Sequence, residues 1–184
     1  MLKQRFDLGF ANGHQLSVSV YVMTPHAALS RFSLRFCESR GRSQSTVRTV
    51  ETPTNFVNFA KFETGRLLGN GRMQLLMAVW NGRCFKKVYD FNGVLVRTVF
   101  SKNDGRVDAR IVHNEGSLDV LALYYPFNQW NSRLSGNWYY LPTFGNMVTL
   151  LAWKHGEFQP VMTGEANPYN VLTQFGGCAY LHCR

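Results

Sequence analysis

The sequence predicts an all-β fold: an antiparallel meander of about ten short strands, built as a sandwich, barrel or propeller-like stack, with two or three short helices. Three observations carry that expectation. Apolar and polar residues alternate near the start, as in half-buried strands. Turn dipeptides ending in Gly recur about eleven residues apart from residue 69 onward. Capped segments with helical periodicity are few and short.

Each element follows in order. Leu16, Val18, Val20 and Val22 alternate with Ser17, Ser19 and Tyr21, and Asn12-Gly13 just before them is a strong hairpin signal. That turn pairs the strand with roughly Lys3–Phe10. Phe32, Leu34 and Phe36 then alternate with Arg31, Ser33 and Arg35. Thr24-Pro25-His26-Ala27-Ala28-Leu29 reads as one helical turn, capped by Thr24 with Pro25 at its first position. Asn55–Leu68 fits either a helix or an imperfect strand. Asn167-Pro168, Tyr169–Phe175 and Gly176-Gly177 frame the clearest helix.

Between these lies the regular series. Asn70-Gly71, Asn81-Gly82, Asn92-Gly93, Asp104-Gly105 and Glu115-Gly116 separate strand-length runs at Met73–Trp80, Arg83–Phe91, Val94–Phe100, Arg106–His113 and Ser117–Tyr125. After an irregular segment at 126–146, Met147–Trp153 and Glu157–Met162 flank His155-Gly156. The length suits a single domain over 1–184, within which an N-terminal hairpin region and basic loop (1–50) precede a β-meander core (69–162).

Gly69-Asn70-Gly71-Arg72-Met73-Gln74-Leu75-Leu76-Met77-Ala78-Val79-Trp80-Asn81-Gly82, followed by Tyr89-Asp90-Phe91-Asn92-Gly93, resembles an FG-GAP/VCBS-type β-propeller blade over about residues 69–100. The resemblance implies a four-stranded blade. Blades of that family often hold calcium in a D-x-D-x-D-G loop. Leu68-Gly69-Asn70-Gly71 and Lys102-Asn103-Asp104-Gly105 lack those carboxylates, so the calcium function does not carry over.

Charge is the main functional clue. The chain holds 20 Lys and Arg against 11 Asp and Glu, a net +9. Residues 1–60 contribute seven basic and three acidic side chains, 61–110 ten and four, and 111–184 three and four. The excess therefore belongs to the first 110 residues, which suits phosphates or an acidic surface. The expected reading is a non-enzymatic binding domain whose partner is nucleic acid, as in viral or phage-type RNA-handling domains, or else an acidic protein surface. Arg40, Arg42, Arg48, Lys102 and Arg106 supply backbone contacts in this reading. Arg133, Trp138, Tyr139 and Tyr140, on an aromatic segment that breaks the turn rhythm, supply donors and stacking. Lys86 and Lys87 are adjacent on a strand and face opposite sides.

Other chemistry has less to stand on. No apolar run reaches the roughly 20 residues of a spanning helix. Met1–Asp7 has no apolar stretch after its charges, so no signal peptide is expected. Eleven dispersed carboxylates, including Asp104 and Asp108, make no calcium cage. Cys178, His182 and Cys183 lack zinc-knuckle spacing. No metal and no cofactor is expected. Cys37 and Cys84 read as small core residues, and reduced thiols favour an intracellular protein, with delivery into a host cell and a Cys178–Cys183 bond left open.

Two alternatives remain. One is a small metal-independent nuclease or toxin/effector domain using His14, His26, His113 or His155, or a Cys178 nucleophile after Phe175-Gly176-Gly177 with His26 as its base. The other is a structural module forming a homo-oligomer through sheet edges.

Overall fold

The computed structural model describes residues 1–23, 31–52, 59–80, 84–103, 107–126 and 146–166, and every regular element among them is a β-strand. The strands are β1 (Leu2–Ala11), β2 (His14–Val22), β3 (Phe32–Arg40), β4 (Ser43–Glu51), β5 (Phe59–Gly65), β6 (Gln74–Trp80), β7 (Cys84–Phe91), β8 (Val96–Asn103), β9 (Asp108–Val112), β10 (Val120–Pro126), β11 (Asn146–Lys154) and β12 (Glu157–Ala166). They form three four-stranded antiparallel sheets, each a plain meander of consecutive strands: β1–β4, β5–β8 and β9–β12.

Turn chemistry fixes the registers. Asn12 and Gly13 both adopt positive φ (52° and 77°) in a two-residue turn between the paired Ala11 and His14. His155 and Gly156 repeat that geometry (52° and 87°) between Lys154 and Glu157. A histidine in this conformation is uncommon, and the hairpin ladder on either side holds it there.

Alternation then decides what is buried. Leu16, Val18 and Val20 of β2 with Phe32, Leu34 and Phe36 of β3 form the inner face of the first sheet. They pack against Phe62, Leu75, Met77, Val79, Tyr89 and Phe91 of the second sheet. Edge-to-face rings tie the two together, Phe32 on Phe62 at 5.5 Å and Phe36 on Phe91 at 5.6 Å between centroids. The opposite face of the second sheet presents Leu76, Val88 and Phe100 to Ala109, Ile111, Leu121, Leu123, Leu151 and Phe158 of the third. The second sheet is thus covered on both sides. Its β6 accordingly reads Leu75-Leu76-Met77-Ala78-Val79, buried throughout, where a one-sided strand would alternate.

Polar contacts lock the stack. Met73 N–H donates to Leu8 C=O (3.0 Å) between the first and second sheets. Ile111 N–H donates to Glu63 (2.8 Å) and Lys61 to Ala109 C=O (3.3 Å) between the second and third. Gly65 packs tightly against the third sheet, where a Cβ would stand 2.5 Å from the Ile111 Cγ2.

Two expectations change. Among the described residues there is no helix, and none is long and apolar enough to cross a membrane. The ambiguous 55–68 stretch contains strand β5, paired along its length with β6, with Phe62 turned into the core. The helical readings at Thr24–Leu29 and Tyr169–Phe175 lie outside the described residues. Among the described residues the strand count rises from about ten to twelve, because the 55–68 stretch supplies β5 and the basic stretch expected as a loop is a hairpin that adds β4. Arg40 pairs with Ser43, only Gly41 and Arg42 turn, and Ser43–Glu51 continues as β4.

Candidate functional site

The β3–β4 hairpin carries three exposed arginines of the first sheet. Arg40 closes β3 and Arg42 occupies the turn, beside Gly41 at φ 59°. Arg48 lies on β4 opposite Phe36, where the register shifts and Val47 packs onto the core. Such a bulge locally increases the strand's twist. All three arginines are exposed. Among the described residues β4 is an edge strand, paired only with β3, and most of its residues are exposed.

The neighbouring carboxylates are committed elsewhere. Glu38 faces His14 Nδ1 at 3.3 Å and accepts from Ser45 Oγ at 3.4 Å. Glu51 holds Arg31 at 3.2 Å. Asp7 accepts from the Gly9 N–H (2.8 Å) and Gln15 (2.9 Å). Among the described residues, Arg40, Arg42 and Arg48 make no ion pair. Seven basic against three acidic side chains leave this sheet strongly positive, and exposed guanidiniums without carboxylates are ready donors for oxyanions.

Lys102 does not join them. It lies on β8 opposite Lys86 of β7. Both fall on the face that carries Val88 and Phe100, the face turned to the third sheet and away from the first. Lys102 is half-buried there and Lys86 fully buried. Lys86 and Lys87 diverge as strand alternation requires. Arg106, Arg133, Trp138, Tyr139 and Tyr140 lie outside the described residues, as do His26, Cys178, His182 and Cys183.

A second polar cluster went unread in the sequence. Asp90, buried at the end of β7, accepts hydrogen bonds from Asn70 (3.1 Å), Gln74 (3.0 Å), Arg72 (3.3 Å) and Arg97 (3.2 Å). Gln74 in turn accepts from the Leu67 and Leu68 N–H groups at 2.9 and 3.2 Å. Burial alone would raise the Asp90 carboxyl, but the hydrogen bonds from Gln74, Asn70 and Arg97 and the charge of Arg72 outweigh it and hold the pKa below the ordinary value. The cluster pins the 66–73 connection onto the second sheet. It also engages Arg72 and Arg97, so part of the positive charge of residues 61–110 is internally matched. The signal for it was the alternating Asn70, Arg72 and Gln74; their common target is visible only in the fold.

The three described histidines do not converge. His14 faces Glu38 on the first sheet, His113 faces Asp119 (3.2 Å) beside β9, and His155 sits in the β11–β12 turn. Among the described residues, no three His, Cys, Asp or Glu side chains form a group that could hold a metal ion. Compared with known proteins, this chain matches no family model and no curated protein.

Proposed function

We propose that this protein is a basic β-rich binding domain that engages nucleic acid through the phosphate backbone, with Arg40, Arg42 and Arg48 as the contacting side chains. One observation carries the reading: three exposed guanidiniums share one hairpin while the acidic groups around them are already engaged. Arg is suited to this role because its fork of donors matches two phosphate oxygens at once. Contacts of this kind position a strand without reading its sequence. Lys102 is set apart from the arm and is not included. Arg106, Arg133 and the Trp138–Tyr140 segment remain further candidates for the same partner.

Fluorescence anisotropy with a labelled single-stranded RNA, measured over a range of salt concentrations, tests the proposal. The logarithm of the affinity should fall linearly with the logarithm of salt. Replacing Arg40, Arg42 and Arg48 together with Gln should reduce that slope by about 2, since each lost phosphate contact on a single strand removes about 0.7. Binding with no salt dependence, or a triple variant with the wild-type slope, overturns it. Tight binding to a polyglutamate chain but not to RNA would point to an acidic protein partner instead.

A further inference from the structure

The outward face of the first sheet carries two further arginines, while its carboxylates Asp7 and Glu51 are held by Gln15 and Arg31. Since Leu16, Val18 and Val20 of β2 point into the core, Ser17, Ser19 and Tyr21 point the other way. Register extends this outward face across the sheet. Arg5 of β1 lies opposite Ser19, Ser19 opposite Arg35 of β3, and Arg35 opposite Thr49 of β4. One row across four strands therefore reads Arg5, Ser19, Arg35, Thr49. Arg5 and Arg35 are both exposed. Arg5 donates to the Ser17 hydroxyl at 3.2 Å, and the Arg35 guanidinium carbon sits 4.5 Å from the centre of the Tyr21 ring. Among the described residues neither guanidinium has a carboxylate partner.

We infer that this face is a stacking platform for the bases of a single-stranded nucleic acid. The inference rests on the backbone-binding reading of the β3–β4 arm and extends it from phosphates to bases. A guanidinium held against a tyrosine ring is a flat cation that is already half-ordered. A base stacking on it gains dispersion and cation–π attraction without the full cost of immobilising a long side chain. Ser17 and Ser19 are small and buried beneath this face, so the exposed Arg5 and Arg35 side chains form its surface. A flat sheet face cannot reach base edges inside a duplex, whereas a single strand offers unstacked bases. Arg35 precedes Arg40 by five residues on β3, about 17 Å at strand rise. The odd spacing turns the two arginines to opposite faces of β3, so a single strand of RNA passes from the platform to the arm around the β3–β4 turn that Arg42 occupies.

A labelled twelve-nucleotide oligouridylate, with inorganic polyphosphate as competitor, separates stacking from charge. Arg35→Lys keeps the charge and removes the planar group, and Tyr21→Thr removes the ring from beneath it while keeping a residue suited to a strand. Each should weaken oligouridylate binding about tenfold while leaving the salt slope and polyphosphate competition as in wild type. Photocrosslinking of 4-thiouridine RNA to the unaltered protein should place the adduct on β2 or β3 near Tyr21. Wild-type affinity in both variants, or adducts confined to other strands, overturns the platform. If those results come with a flattened salt slope in the Arg40, Arg42 and Arg48 variant, the platform falls and the arm stands. Should the platform variants lose affinity while the arm variant behaves as wild type, the arm falls instead. An unaltered protein that does not bind oligouridylate removes both.

Discussion

Arg72 meets Asp90 at 3.3 Å although 18 residues separate them, and the carboxylate it meets is wholly enclosed. A carboxyl whose pKa falls on folding stabilises the fold above its unfolded value and loses that contribution as pH drops through the folded one. The ordinary value here is 3.8, so the loss begins as pH falls toward it and continues below. Asp90→Asn should cost about 3 kcal/mol at neutral pH, because it leaves Arg72 short of its counter-charge in a part-buried site. Calorimetry should show the gap between wild type and variant closing as pH falls from about 5 to about 3. A gap that stays constant over that range counts against this account.

Tyr89 titrates at the other end of the scale. Burial pushes its phenol up to about 12 from 10.0. The unfolded chain would release this proton first, so the stability tied to it is full below pH 10 and is lost as pH rises toward 12. Tyr89→Phe keeps the ring against Phe36 and should change neutral-pH stability by less than about 1 kcal/mol. It should also flatten the alkaline limb of the melting profile. Ultraviolet titration checks the assignment, since the variant should lack a late-ionising phenol.

Gly65 of the second sheet packs directly against Ile111 of the third. A methyl group there would meet Ile111 at 2.5 Å and the Asp119 carboxylate at 2.8 Å. Asp119 in turn accepts from the Arg66 N–H (2.7 Å) and the Asn114 N–H (3.1 Å). Gly65→Ala should therefore cost about 2 kcal/mol in urea denaturation. Gly164 is the matched control. Nothing lies within 4 Å of a Cβ placed there, so Ala should be tolerated.

Phe36 anchors the contact between the first two sheets. It is fully buried, with Tyr89 at 5.9 Å and Phe91 at 5.6 Å between ring centres. Phe36→Ala should remove about 4 kcal/mol of stability. Phe10, exposed at the tip of the first hairpin, should accept the same change with little effect.

Much of this fold is readable from local signals. The Asn12-Gly13 and His155-Gly156 turns, and the alternation in β2 and β3, are properties of neighbouring residues. Strand β4 was hidden for the opposite reason. Ser, Thr, Gln and Arg on both of its sides leave no period to detect, and its identity comes from the ladder with β3. The site divides the same way. Arg40 and Arg42 belong together by simple proximity in sequence, whereas separating Lys102 from them required knowing which face of the second sheet meets the third. Asp90 lies further still from local reasoning, because its partners come from the 66–73 connection, β6 and β8.

The contiguity of each sheet in the chain has a consequence for biosynthesis. A nascent chain can complete the first ladder before β5 exists, since most contacts within a sheet are short-range in sequence. Its inner surface, with Phe32 and Phe36, then waits bare until β6 and β7 emerge. Once the second sheet docks, its own far side waits in turn for β9 and β10. Assembly can therefore be vectorial, and a pause that leaves residues 1–52 or 1–103 outside the ribosome would hold out an unsatisfied apolar plate, a natural target for a chaperone.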